Sequence, residues 1–190
     1  MFTAHTVNLE KLRGQPLIVG AGIAGTLVAL HMNDAPCVLI AGADEPQITD
    51  TGSASLPSLL SAMGTSTQRA ARTLKAGQGL ARLDTVQCIM ARMDQAVAGL
   101  EKLDFIKTHG WPESERGLHA ILLGVLANRH NVTIIPATTL RQLVLVEGHV
   151  RGAVLTTGDK TGILDTNAVI MAGNGACGLF GDDLGAARSI

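Results

Sequence analysis

The sequence feature that most constrains the fold is a glycine-rich bend at residues 20–25, which reads GAGIAG. It follows a short apolar run at residues 16–19 and opens an apolar helix. A second apolar run, at residues 37–41, arrives after a polar break. A strand, a turn, a helix and a strand in this order form a βαβ unit, whose crossover requires parallel strands. The first part of the chain therefore predicts an α/β fold with a central parallel sheet.

Each glycine of the bend has its own physical role in this interpretation. Gly20 permits a tight turn, Gly22 lets a pyrophosphate approach the backbone because it has no Cβ, and Gly25 lets the helix press against the strand. The start of the helix offers N–H groups without intrahelical partners and a partial positive charge. The bend thus predicts a dinucleotide site, and the alternative is a purely structural turn.

One residue of the usual dinucleotide pattern is missing. A carboxylate normally ends the second strand and binds a ribose hydroxyl, but Ala41, Gly42 and Ala43 occupy that position. Asp44 or Glu45 could reach the site only from a shifted register. The loss of one such hydrogen bond costs about 1.5–3 kcal/mol, which weakens a site without abolishing it.

The middle of the chain predicts helices. Residues 42–64 are loop-like, residues 65–76 predict a helix, and residues 84–103 predict a long helix opened by a capping box of Asp84 and Gln87. A further helix follows residue 114, and His119 lies near its apolar stripe. We interpret His119 as a structural side chain rather than a catalytic base.

The last part of the chain predicts strands, because the apolar period changes from helical to alternating after residue 130. The predicted strands lie at residues 132–135, 140–146, 150–156, 162–164 and 168–172. The middle three read as a β-meander. Residues 1–190 together predict a single domain.

Composition limits the partners of the chain. The net charge is −1 and there is no basic field, which argues against nucleic acid and against an anionic membrane surface. Aromatic residues are only 2% while apolar residues are 46%, so the core must consist of aliphatic side chains. Such a core suits a parallel sheet buried on both faces.

The cysteines and the apolar runs indicate the cellular compartment of the protein. Cys37, Cys88 and Cys177 are widely spaced and predict neither a disulfide framework nor a zinc site. They favour a reducing compartment, and we expect a cytoplasmic protein without a metal. The apolar run at residues 16–30 is interrupted by glycines, so it predicts neither a leader peptide nor a membrane span.

Five stretches in order along the chain resemble the L-aspartate oxidase family, within the wider succinate dehydrogenase and fumarate reductase flavoproteins. Residues 16–30 resemble the family's FAD fingerprint, and residues 73–80 (TLKAGQGL) its "DTLxAGxGL" segment. Residues 84–103 are similar to the helix that follows. Residues 131–154 resemble the strand and meander of the FAD domain, and residues 171–180 (MAGNGACGLF) resemble "LATGGAGGLY".

The resemblance implies a Rossmann-like FAD-binding domain. It also implies a reaction in which a flavin oxidises L-aspartate to iminoaspartate for NAD synthesis. Residues 21–24 would cradle the pyrophosphate, Gly42 would lie near the ribose and Ser53 along the flavin, with residues 139 and 140 by the adenine. The predicted cofactor-binding residues are Gly20, Ala21, Gly22, Ile23, Ala24, Gly25, Gly42, Ser53, Thr139 and Leu140. No catalytic residue is assigned.

The chain departs from the family's pattern in three places, one of which is a stretch with His and Arg residues near the substrate that is missing between Trp111 and Ser114. Leu59 and Leu60 stand where the family has two glycines that let the backbone meet the flavin ring. The chain also ends at Ile190, near the point where the family's capping domain would begin. We therefore expect a shortened FAD-binding oxidoreductase-like chain, with FAD bound weakly or lost, that is inactive alone or needs a partner.

Other interpretations stay open. A non-catalytic interaction or regulatory module could keep the nucleotide fold, and an open sheet edge would then favour self-association or a protein partner. A fragment of an NAD(P)-dependent oxidoreductase fits the glycine pattern but not residues 73–80 or the meander. A piece of a longer gene product is a further alternative.

Overall fold

The computed structural model describes residues 8–42 and 56–173, apart from the side chains of Leu56, Leu59 and Glu115. The chain divides into two compact units, residues 1–48 with 119–190 and residues 49–118. Among the described residues, no helix is both long and apolar enough to cross a membrane.

A parallel sheet forms the centre of the first unit. Its strands are β1 (Leu17–Val19), β2 (Cys37–Ile40), β3 (Val132–Ile135) and β7 (Val169–Met171), in the order β3-β2-β1-β7. All pairs are parallel, with Ile18 opposite both Leu39 and Ile170. The predicted βαβ unit is therefore present, and α1 (Ile23–His31) is its crossover helix.

The centre of the sheet is buried on both faces, because β1 and β2 are continuous apolar runs. Every residue of β2 is buried. Val38 and Ile40 belong to one core cluster and Cys37 and Leu39 to the other, as the alternation of side chains along a strand requires. This arrangement explains how a chain with so few aromatic residues builds a core.

A β-meander covers one face of the parallel sheet. It consists of β4 (Thr138–Val146), β5 (His149–Thr157) and β6 (Lys160–Asp165), paired antiparallel in that order. The hairpin between β4 and β5 turns at Glu147 and Gly148, whose φ angles of 51° and 75° suit a tight two-residue turn. Three buried leucines of the meander join the core cluster that contains Val38: Leu140, Leu155 and Leu164.

Helices cover the other face. α1 contributes Ala29 to the second core cluster, and α6 (Glu115–Ala127) contributes Leu126. These contacts confirm the predicted α/β fold with a parallel sheet, crossover helices and a meander.

The second unit is helical. It holds α2 (Leu56–Ala62), α3 (Ser66–Ala76), α4 (Leu83–Leu100) and α5 (Asp104–His109). α3 begins with a capping box. The Thr65 hydroxyl accepts a hydrogen bond from the backbone N–H of Gln68, and Oε1 of the Gln68 side chain accepts one from the backbone N–H of Thr65.

Three sequence predictions about this helical unit are wrong in detail. α2 lies inside the stretch predicted as a loop, and the long helix ends at Leu100, so that residues 104–109 form a separate helix. The capping box of Asp84 and Gln87 does not form. α4 begins one residue before Asp84, whose carboxylate instead accepts from the Arg82 guanidinium and the Thr85 amide.

A buried arginine holds the helical unit together. Arg69 on α3 is only 3% exposed, and its guanidinium donates to the Gly64 carbonyl at 2.6 Å and to Asp94 Oδ1 at 2.6 Å. A longer contact of 3.4 Å reaches the Leu60 carbonyl. Arg69 thus joins the end of α2 and the loop after it to α4.

We expect Arg69→Met to lower the free energy of unfolding by about 2–3 kcal/mol, because it leaves buried carbonyl groups unpaired. Urea denaturation followed by circular dichroism measures this. Arg72→Met is the matched control, since Arg72 is exposed on the same helix, and a change within about 0.5 kcal/mol is expected there. Equal losses in the two variants would contradict the role of Arg69.

We also expect the described cysteines to differ in reactivity. Cys37 is fully buried in β2, and burial raises the pKa of its thiol, whereas Cys88 is exposed on α4. The thiolate is the reactive form, so iodoacetamide should label Cys88 quickly and Cys37 only when urea opens the sheet. Mass spectrometry of peptides from pulse-labelled protein measures both sites. Rapid labelling of Cys37 in native protein would show that the sheet is not closed around it.

Candidate functional site

The glycine-rich bend leaves the centre of the parallel sheet at the end of β1. Gly20 has φ of +105°, a left-handed value that favours glycine. Its amide donates to the Ile40 carbonyl at 3.0 Å, and the Ala172 amide donates to the Val19 carbonyl at 2.8 Å. A Cβ on Gly20 would lie 2.8 Å from the Ala172 oxygen. The first glycine is therefore required by both conformation and space.

The third glycine brings the helix against the strand. A Cβ on Gly25 would overlap the carbonyl oxygen of Gly20 and lie 3.4 Å from the Cβ of Ala172. Gly25 itself is buried in α1. No larger residue fits at this position without moving the helix away from the end of β1.

The middle glycine has open space beside it among the described residues. A Cβ on Gly22 would meet no atom of the described residues within 4 Å. Gly22 has φ of −69° and ψ of −173°, which any residue can adopt, and it caps α1 without a side-chain hydrogen bond. Neither conformation nor packing within the described chain requires glycine here. The space beside it suits a group that approaches the backbone closely.

Hydrogen bonds inside α1 direct the carbonyls of the bend away from that space. The buried Thr26 donates its amide to the Gly22 carbonyl at 2.9 Å. Its hydroxyl lies 2.9 Å from the carbonyl oxygens of both Gly22 and Ile23. Because these oxygens turn into the helix, the start of α1 presents its N–H groups, as an anion site requires.

The bend also lies where the strand order of the sheet reverses. From β1 the chain continues outward on one side of the sheet, through β2 and then β3. The later strand β7 lies on the other side of β1 and pairs with it. In open parallel sheets a crevice forms at such a point, beyond the carboxyl ends of the strands, and ligands bind there.

A histidine from α6 contacts the bend. His119 Nε2 lies 2.5 Å from the carbonyl oxygen of Ala21. A carbonyl can only accept, so Nε2 carries the hydrogen and donates it. His119 shares a helical face with Leu122 and Leu126, which are fully buried. The sequence predicts a structural role for His119. The structure adds the partner, the Ala21 carbonyl, which the sequence did not indicate.

The structure brings some of the other predicted cofactor residues near one another. Gly42 follows β2, and the carbonyl of the preceding Ala41 accepts from the Thr138 amide at 2.8 Å. This bond ties the end of β2 to the start of β4, which carries Thr139 and Leu140. Thr139 is exposed, whereas the Leu140 side chain is 3% exposed and packs in the core. Any ligand contact by Leu140 would therefore use its backbone.

Several residues singled out from the sequence lie outside the described part of the chain. Ser53, Asp44 and Glu45 fall in residues 43–55, which the structure does not describe. Leu60, at a position where the family has glycine, is a buried residue of α2. It lines a cavity of about 270 Å³ formed entirely by the helical unit, with Arg69 and Asp94.

The backbone amides at the start of α1 suit a phosphate. The described groups of the bend are backbone amides, one hydroxyl and one imidazole. Among residues 8–42 and 56–173, no three His, Cys, Asp or Glu side chains gather where they could hold a metal ion.

Comparison with known proteins gives one curated relative. The chain is 28% identical to an L-aspartate oxidase of Mesorhizobium japonicum over an alignment of 203 residues, which covers 93% of the chain and 39% of the relative. The chain thus spans about two fifths of that protein's length. No protein family model matches the chain.

Solved structures share the fold over most of the chain. A flavocytochrome c3 fumarate reductase in its open conformation matches with a TM-score of 0.68 and 17% identity, over 88% of this chain and 36% of that one. The glycerol-3-phosphate dehydrogenase from Bacillus halodurans, complexed with FAD, matches with a TM-score of 0.56 and 12% identity, over 93% and 37%.

These matches confirm the resemblance that the sequence motifs indicate. The sequence match extends over nearly the whole chain, and the parallel sheet with its helices corresponds to the α/β domain of the fumarate reductase structure. The chain is therefore similar in sequence to an L-aspartate oxidase and shares the fold of a flavocytochrome c3 fumarate reductase, over less than half the length of each.

Proposed function

We propose that the chain binds FAD, with the diphosphate at the glycine-rich bend. The observation that carries this proposal is the open space at Gly22, beside the start of α1 and at the reversal of the strand order. The amides of residues 22–24 would hold the diphosphate oxygens. Gly42 would lie at the ribose and Thr139 and Leu140 at the adenine, with Ser53 along the flavin.

FAD is favoured over a nicotinamide cofactor by the relatives. The curated relative is an L-aspartate oxidase, and the glycerol-3-phosphate dehydrogenase with the same fold was determined with FAD. Bound FAD supplies a ring that accepts a hydride from substrate. In this proposal the residues of the bend would bind and orient the cofactor.

The family reaction, oxidation of L-aspartate to iminoaspartate, is a further part of the proposal. A dicarboxylate substrate needs cationic side chains to hold it, but the described hydrogen bonds of the bend involve backbone groups, Thr26 and His119 alone. We therefore propose that this chain provides the cofactor site, and that oxidation of L-aspartate requires substrate-binding groups from elsewhere.

A second candidate function is a non-catalytic interaction module in the cytoplasm. It is favoured by the sheet itself, because β3 and β7 each pair on one side only within the described part of the chain. Unpaired strand edges are sites of self-association or of partner binding. In this alternative the nucleotide site would be vestigial.

Titration calorimetry with FAD, NAD and NADP tests the main proposal. We expect FAD to bind at least about tenfold more tightly than either nicotinamide dinucleotide, a difference of about 1.4 kcal/mol. A visible flavin spectrum of freshly purified protein and an assay with L-aspartate and an electron acceptor accompany the titration. Preference for NAD or NADP would overturn the proposal, and absence of any binding would favour the interaction module.

We expect a methyl group at the middle glycine to weaken FAD binding without changing the stability of the fold. Gly22→Ala would place a Cβ in the space proposed for the diphosphate and weaken FAD binding about tenfold to a hundredfold, the equivalent of one lost hydrogen bond to a charged group. The fold should survive, because no described atom lies within 4 Å of that Cβ. Calorimetry and thermal unfolding measure the two effects.

The control for this variant is Gly124→Ala on α6, where a Cβ also meets nothing within 4 Å. It should leave FAD affinity unchanged. Gly25→Ala provides the opposite contrast, because its Cβ would overlap the Gly20 carbonyl, and the overpacking should lower stability by about 1–3 kcal/mol. Normal FAD affinity in Gly22→Ala would place the diphosphate elsewhere.

A further inference from the structure

The peptide unit between Ala21 and Gly22 rotates about ψ of Ala21 and φ of Gly22, the middle glycine of the bend. Glycine accepts a wide range of backbone conformations, so this unit could rotate at small energetic cost. Rotation by about half a turn would exchange the positions of the Ala21 oxygen and the Gly22 N–H, because a trans peptide holds these groups on opposite sides of one plane. A hydrogen-bond partner is needed to hold this peptide unit in one orientation.

His119 supplies that partner. Its Nε2 atom lies 2.5 Å from the Ala21 oxygen, across 98 positions of sequence. The imidazole is part-buried on α6, whose fully buried Leu126 belongs to a core cluster of the sheet. Ala21 itself is 7% exposed and belongs to the same core cluster as Leu126. The hydrogen bond therefore joins a packed helix to a peptide unit that could otherwise adopt more than one orientation.

We propose that His119 is a positioning residue for the diphosphate, acting through the Ala21–Gly22 peptide. By holding the Ala21 oxygen, His119 fixes the Gly22 N–H on the opposite side of the peptide plane, away from the imidazole. It thereby keeps a partly negative oxygen from facing the anion. The proposal rests on the dinucleotide function, and it adds a residue outside the glycine pattern to that site.

Three variants test this role. His119→Leu removes the donor, and His119→Gln retains an amide N–H close to the position of Nε2. His149→Leu is the matched control, because the His149 ring also contacts a backbone carbonyl, that of Glu147 at 2.9 Å, but on the β4–β5 hairpin. Calorimetric titration with FAD and with ADP measures the affinity, and thermal unfolding shows that each variant is folded.

We expect His119→Leu to bind FAD and ADP about tenfold more weakly. His119→Gln should recover most of that affinity, and His149→Leu should bind as the parent chain does. Equal affinity in His119→Leu and the parent chain, or failure of a folded His119→Gln to recover binding, would overturn the positioning role. If the parent chain binds neither FAD nor ADP, the proposed function fails instead.

A ligand-free measurement tests the inference independently. Amide NMR of the parent chain should show one sharp Gly22 resonance, and His119→Leu should broaden or double it as the peptide samples two orientations. A single sharp Gly22 resonance in both proteins would show that His119 does not hold the peptide. If His119→Leu does not fold, the same comparison is made with His119→Gln, for which a single sharp resonance is expected and a doubled one contradicts the proposal.

Discussion

The close approach of α1 to the end of β1 determines how the glycine-rich bend is built. At that point the chain must turn sharply, start a helix and leave the helix pressed against the carbonyl of Gly20. Only residues without a Cβ satisfy these demands at positions 20 and 25. The same geometry places the start of α1 where the strand order reverses, so one packing requirement also creates the candidate site.

The elements that the sequence predicts well are those with local signals. The bend follows from its glycine spacing, and the strands of the sheet and the meander follow from their apolar periods, to within two residues of the observed ends. The predictions that are wrong have local physical causes. The Asp84 carboxylate pairs with Arg82 and Thr85 instead of capping a helix, and α2 forms in a stretch whose serines and proline indicate a loop.

The candidate site was predictable only in part, because its parts come from distant places in the chain. The spacing of glycines indicates a phosphate site, but no spacing rule joins His119 to Ala21 or the end of β2 to Thr138. Such contacts depend on the packing of whole elements. Of the three glycines of the bend, only Gly22 has no described atom within 4 Å of an added Cβ, which distinguishes room for a ligand from the packing needs at Gly20 and Gly25.

The most direct test of the central claim is an amide NMR map of the chain during titration with FAD. We expect the largest shifts on the amides of Gly22, Ile23 and Ala24, with smaller shifts near Gly42 and Thr139. Saturable binding of FAD that leaves those amides of the bend unshifted would contradict the claim, since the cofactor would then occupy another surface.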